Sequence, residues 1–252
     1  MLRWEPRIEV ANDQCERRTL LRASEASPVS GPTIGVRQLV ASCSTAMMFE
    51  PRCEADILRL VDEYPLAWVV SRGSSGFGAS PLPLLAETGS NGRIVSLVGH
   101  IAIANPQVSE LRSFPLATIL STGPHGYVSP ELVSKPDWAP TWNYATARFE
   151  VEVEFVPEET EQLVERLVRR MERDRRKPWT VLQMGARYAQ LAQRIVGFRA
   201  HVNAVHGQFK LGQDESHRTL SDILSGLQDA ALVRWMKDFN SAFLTHSPKE
   251  PT

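Results

Sequence analysis

The stretch Phe149-Glu150-Val151-Glu152-Val153-Glu154-Phe155 alternates apolar and acidic residues without a break. Successive side chains of a strand point to opposite sides. This segment therefore predicts a β-strand with one buried face and one face carrying Glu150, Glu152 and Glu154.

Reading outward from it, Glu158 to Arg173 places Leu163, Val164, Leu167, Val168 and Met171 on one side of a helix. The basic run Arg166, Arg169, Arg170, Arg173, Arg175, Arg176 and Lys177 starts on this helix and continues past its end. Because Glu158, Glu159, Glu161, Glu165, Glu172 and Asp174 interleave with it, a solvated face laced with i, i+4 ion pairs is expected. A second helix is predicted over Tyr188 to Arg194, then a strand from Val196 to Val205, and mostly helix from Ser216 to Phe243.

Upstream, Ile57, Leu58, Val61 and Tyr64 form the stripe of a short helix that Pro65 ends. Strands are predicted at Leu66 to Ser71, Arg93 to Gly99 and Leu116 to Thr122, and a short helix over Pro106 to Phe114. Gly73-Ser74-Ser75-Gly76 and Asn91-Gly92 read as turns. In Gly78 to Ala86, Pro81 and Pro83 each remove a ladder donor, which points to an edge strand. Strands come early and the long helices are inserted or appended, with few βαβ alternations. That order suggests an antiparallel barrel with peripheral helices in an α+β fold.

Composition narrows the function classes. A net charge of −1 provides no overall field toward nucleic acid or anionic membrane. No apolar run reaches the roughly 18 residues of a membrane span. Glu5 and Glu9 stand where a signal peptide would be apolar, and Cys15, Cys43 and Cys53 have no paired spacing, so a cytoplasmic location is expected. No nucleophile elbow, zincin motif or C-x-x-C occurs, and the six histidines show no ligand spacing, so no protein-only metal site is expected. His201 and His206, five apart on a strand, are expected on opposite faces. DNA binding is not supported, since no helix-turn-helix reads from the chain.

Three segments read as loops that combine turn formers with hydrogen-bonding groups. Gly99-His100 to Asn105-Pro106 ends a strand and starts a helix, where backbone N–H groups can hold an anion or Asn105 can serve as an N-cap. Gly123-Pro124-His125-Gly126-Tyr127-Val128-Ser129-Pro130 is expected to turn at Gly and Pro while offering an imidazole and a phenol. In Pro140-Thr141-Trp142-Asn143-Tyr144, Trp142 and Tyr144 share a face opposite Asn143, and such aromatics can pack on a cofactor ring or in a core.

These segments, followed by Phe209-Lys210-Leu211-Gly212-Gln213, occur in the order and spacing of the PaiB family, which the chain resembles over roughly Met48 to Leu227. Members of that family are described as FMN-binding negative transcriptional regulators. The resemblance implies a split β-barrel of the FMN-binding type with peripheral helices and a C-terminal helical segment. It also implies a homodimer with FMN in a cleft at the subunit interface. Residues 1–46, rich in Ser, Arg and Pro and without sustained periodicity, are expected as a disordered tail, 47–230 as the split-barrel domain and 231–252 as a C-terminal helix and tail. The resemblance places Lys210 and Gln213 near that cleft and has Trp142 and Asn143 help form the barrel and its dimer face; the candidate cofactor-binding residues are then His100, Asn105, His125, Tyr127, Trp142, Asn143, Lys210 and Gln213. Two positions depart from the family pattern: Pro81 stands where a His is common, and Ile103 where an Arg is usual. The haem-dependent piperazate synthases of the same fold are similar in having Pro at the Pro81 position. Their likeness implies a different cofactor, haem b, supporting N–N bond formation with His100 or His125 as axial ligand. The same scaffold also accommodates a flavin oxidoreductase or a cofactor-less interaction protein.

Overall fold

The computed structural model describes residues 48–73 and 76–245. The expected tail at 1–46 lies outside the described residues. Compactness divides the chain into two units. The described part of the first comprises residues 53–121 and 147–206, and that of the second comprises residues up to 52, 122–146 and 207–245.

The first unit opens with helix α1 (Glu54–Glu63), which buries Ile57, Leu60 and Val61. Its N-terminus is closed by Asp56, whose carboxylate accepts from the Cys53 N–H at 3.3 Å. The strands are β1 (Leu66–Gly73), β2 (Gly76–Pro83), β3 (Leu85–Thr88), β4 (Ile94–Ala102), β5 (Leu116–Val128), β6 (Thr141–Phe155) and β7 (Ile195–Lys210). They form one sheet in the order β2-β1-β5-β6-β7-β4-β3. Strand β1 pairs antiparallel with both β2 and β5, and β4 with both β3 and β7. Strand β2 is an edge strand, as Pro81 and Pro83 require.

The alternation read from Phe149 to Phe155 holds: Phe149, Val151 and Val153 are buried, whereas Glu150, Glu152 and Glu154 are exposed. Helix α2 (Pro106–Ser113) starts on Pro106 with Asn105 as its N-cap. Helix α3 (Thr160–Glu172) turns Leu163 and Leu167 inward; Leu163 packs with Val98 and Val156. A further short helix, α4 (Ala186–Ala192), precedes β7.

The second unit contains helices α5 (His217–Gly226), α6 (Ala230–Phe239) and α7 (Ser241–Thr245). Ser216 caps α5, and Asp229 caps α6 by accepting from the N–H groups of Ala231 and Leu232, each at 2.9 Å. Its core joins aliphatic residues such as Leu211, Leu220, Ile223 and Leu232 to an aromatic cluster. Phe209 meets Trp235 edge-on with centroids 5.8 Å apart, and Trp235 stacks on Phe239 at 6.2 Å. Gly212 holds φ at +86°, a backbone conformation that favours glycine, and a Cβ there would crowd Leu220 at 3.0 Å. None of the helices among the described residues is long and apolar enough to cross a membrane.

Several expectations need correction. Gly123 to Val128 does not turn: it continues β5 to thirteen residues, and neither Gly123 nor Gly126 has a positive φ. Thr141 to Tyr144 likewise belongs to β6 rather than to a loop. Gly126 is there for space, because a Cβ would lie 3.0 Å from Leu232 of α6. His201 and His206 do not face apart. His201 Nε2 is 2.9 Å from Glu154 and His206 Nε2 is 3.7 Å from Glu150, both on the carboxylate face of β6. An odd separation reaching one face requires a local irregularity in the pleat of β7. Finally, the arginines of α3 do not pair mainly along their own helix. Arg166 bonds Glu87 at 2.7 Å and Arg170 bonds Asp62 at 2.6 Å, partners distant in sequence.

Candidate functional site

In the second unit, His125 and Tyr127 from β5 flank Trp142 from β6. The His125 and Trp142 rings stack at 6.4 Å with 24° between planes, and Tyr127 meets Trp142 edge-on at 6.1 Å. Strand alternation puts Trp142 outside and Asn143 inside, as expected: Trp142 is 55% exposed and Asn143 1%. Tyr127 is 50% exposed. His125 Nδ1 lies 3.0 Å from the Gly123 carbonyl, which fixes the ring's tilt when that nitrogen carries the proton. The result is an open aromatic platform that can take a flat ring.

The remaining residues of this unit do different work. Asn143 is buried, and its Nδ2 approaches the Met236 sulfur at 3.5 Å. Lys210 is half-buried and donates to Thr141 Oγ1, with its ammonium 5.9 Å from the Phe49 ring centre. It has no carboxylate partner among the described residues, so its charge is free to meet an anion. Gln213 folds back on the end of β7. Its Oε1 accepts from the Leu211 N–H and its Nε2 donates to the Phe209 carbonyl, each at 2.6 Å. Both of its polar ends are thus engaged by backbone. Thr141 carried no signal in the sequence beyond its adjacency to Trp142.

In the first unit, Asn105 accepts from the Gln107 N–H at 2.9 Å and donates to Ser80 Oγ at 2.9 Å. Of the two readings of that segment, the structure shows the N-cap. His100 lies on β4 opposite Gly197 of β7. Gly197 donates its N–H to Thr160 Oγ1 at 2.8 Å, and a Cβ on it would meet Leu163 at 3.0 Å. His100 therefore shares the sheet face that α3 covers. Burial pushes its imidazole below the usual histidine range, and its Nδ1 has no partner. Ile103 sits in the turn before α2, 49% exposed, with its N–H bonded to the Arg194 carbonyl at 2.9 Å. Gln107 had no sequence signal. It is buried, donates to Val69 O at 3.1 Å and Ser71 Oγ at 2.9 Å, and keeps an unpartnered Oε1.

The fold and the aromatic platform define a split-barrel protein of α+β class. Residues 45–204 match the model of the family described as "Putative FMN-binding domain", and the chain belongs to that family. It is 27% identical over 138 residues to the protease synthase and sporulation protein PAI 2 of Bacillus subtilis (strain 168), a match covering 53% of this chain. The matched part spans 65% of that relative, a little under two thirds of its length. An uncharacterized protein of Emericella nidulans is 27% identical over 184 residues, covering 59% of this chain and 73% of that one. Among solved structures, the FAD and haem binding protein from Mycobacterium smegmatis superposes with a TM-score of 0.49 at 17% identity, covering 69% of this chain and 78% of that one.

Proposed function

We propose that the chain is a PaiB-like flavin-binding protein that takes FMN and works as a homodimer. The observation that carries this reading is the exposed platform of Trp142 with His125 and Tyr127. A half-exposed tryptophan flanked by two rings is costly to leave in water and well shaped for an isoalloxazine ring. The residues present fit the group. Lys210, half-buried and without a carboxylate partner among the described residues, is suited to a phosphate, and Thr141 holds its ammonium in place. Gln213 stiffens the turn that follows Lys210. Bound FMN would supply redox chemistry; the chain's part is to seat the ring, neutralise the phosphate and exclude water.

Dimerisation is supported by a second apolar row in the first unit. Trp68 of β1 and Leu120 of β5 are register partners, 49% and 40% exposed. With exposed Leu66 and Pro81 beside them, they form a face suited to burial against a second copy.

The test is an absorption spectrum of the purified protein, an FMN titration followed by flavin fluorescence, and a mass by light scattering. Flavin bands, saturable FMN binding and a dimer mass are expected. A haem Soret band without FMN binding overturns the cofactor assignment, and a monomer at micromolar concentration overturns the assembly.

A further inference from the structure

Helix α3 turns Arg166, Arg169, Arg170 and Arg173 toward a groove of about 390 Å³ in the first unit. Their i, i+3, i+4, i+7 spacing makes them one stripe on the helix. The opposite side is apolar, with Leu58 and Val61 from α1 and Leu84 and Leu85 before and within β3. Asp62 is the only carboxylate on the lining among the described residues.

Two of the guanidiniums are fixed in place. Arg170 donates from Nε to the Asp62 carboxylate and from Nη2 to the Asp62 carbonyl, each at 2.6 Å. Arg166 donates to Glu87 at 2.7 Å. The other two are held more loosely. Arg173 reaches only exposed partners, Asp62 at 3.7 Å and Asp174 at 3.1 Å. Arg169 has no hydrogen bond or ion pair among the described residues. Of the acids of the helix, Glu165 and Glu172 do not line this groove; they border an adjoining hollow that Arg169 and Arg173 also line, where Glu172 accepts from the Trp179 N–H at 3.1 Å. The groove therefore combines a surplus of planar donors with an apolar wall, in a volume typical of small-molecule sites.

We propose that this groove binds a phosphate-bearing small molecule of mononucleotide size, the phosphate on Arg169 and Arg173 and the organic body against Leu58, Leu84 and Leu85. The two anchored arginines hold the walls, so little ordering is needed on binding. This site is distinct from the Trp142 platform and does not depend on the FMN reading.

The experiment is titration calorimetry of the full chain with adenosine 5′-monophosphate, and separately with pyrophosphate and a duplex DNA, at two salt concentrations. The monophosphate is expected to bind saturably and more weakly at high salt. Arg169→Ala should weaken it by about ten- to a hundredfold, the loss of one charge-assisted contact, with little change in melting temperature because Arg169 makes no hydrogen bond or ion pair among the described residues. Trp142→Ala should leave it unaltered. No heat with the monophosphate, or equal binding by Arg169→Ala, overturns the proposal. Binding of pyrophosphate alone overturns the organic-body assignment, and binding of DNA in place of the monophosphate assigns the groove to nucleic acid instead.

Discussion

Asn240 Nδ2 donates both to the Leu211 carbonyl at 3.0 Å and to the Met236 carbonyl at 2.8 Å, tying the end of α6 to the segment after β7. Asn240 is buried, so replacing it by Ala takes this donor from the Leu211 carbonyl, whereas the Met236 carbonyl keeps the N–H of residue 240 at 3.1 Å. A loss of about 1–3 kcal/mol is expected. Urea unfolding at neutral pH should show it as a lower midpoint with an unchanged slope.

Glu87 gives the first unit a pH dependence. Burial alone would raise its carboxyl, but hydrogen bonds from Ser96 and Arg166 and the charges of Arg199 and Arg166 outweigh that and hold it below the usual range. A depressed acid stabilises the fold above its unfolded pKa and withdraws that support as pH falls through the folded value. Stability should therefore decline on acidification from about pH 5 downward. Glu87→Gln should be less stable at pH 7 and flatter across that window, as read from unfolding midpoints at successive pH values.

Trp142→Ala should weaken FMN binding by about tenfold, through loss of ring stacking. Lys210→Ala should weaken it by about ten- to a hundredfold, through loss of the phosphate's counter-charge. Glu152→Gln, on the outer face of β6, should leave it unchanged. Fluorescence titrations of the three variants compare them directly.

Ile103 occupies the position where the family resemblance places an arginine. The wild type should consequently retain less than one FMN per chain through purification, and added FMN should restore it. Ile103 is exposed in a turn, so Ile103→Arg costs little packing. It should raise FMN affinity by about tenfold. The flavin-to-protein absorbance ratio after gel filtration provides the check.

What the sequence disclosed was what local periodicity can encode. The alternation from Phe149 to Phe155, the stripe of α1, the prolines of β2 and the split of Trp142 from Asn143 were all legible. Gly123 and Gly126 misled, because neither takes a positive φ and β5 runs through both. The reason for Gly126 is Leu232, more than a hundred residues away. The pairs Arg166–Glu87 and Arg170–Asp62 were hidden for the same reason. Charge pattern along a helix shows i, i+4 possibilities and nothing of the strand or helix packed against it. Of the expected cofactor residues, the aromatic ones form a platform, whereas Asn105, Asn143 and Gln213 are occupied in capping, packing and turn closure.

Pro81 and Pro83 have a consequence for the behaviour of the protein at high concentration. Strand β2 has β1 as its one neighbour, so its far side is one of the two sheet edges where a stray chain could add by backbone pairing. Two residues without an N–H, close together in that strand, interrupt any such ladder and disfavour cross-β stacking. The chain can thus carry exposed Leu66, Trp68 and Phe77 nearby without offering a template for fibril growth.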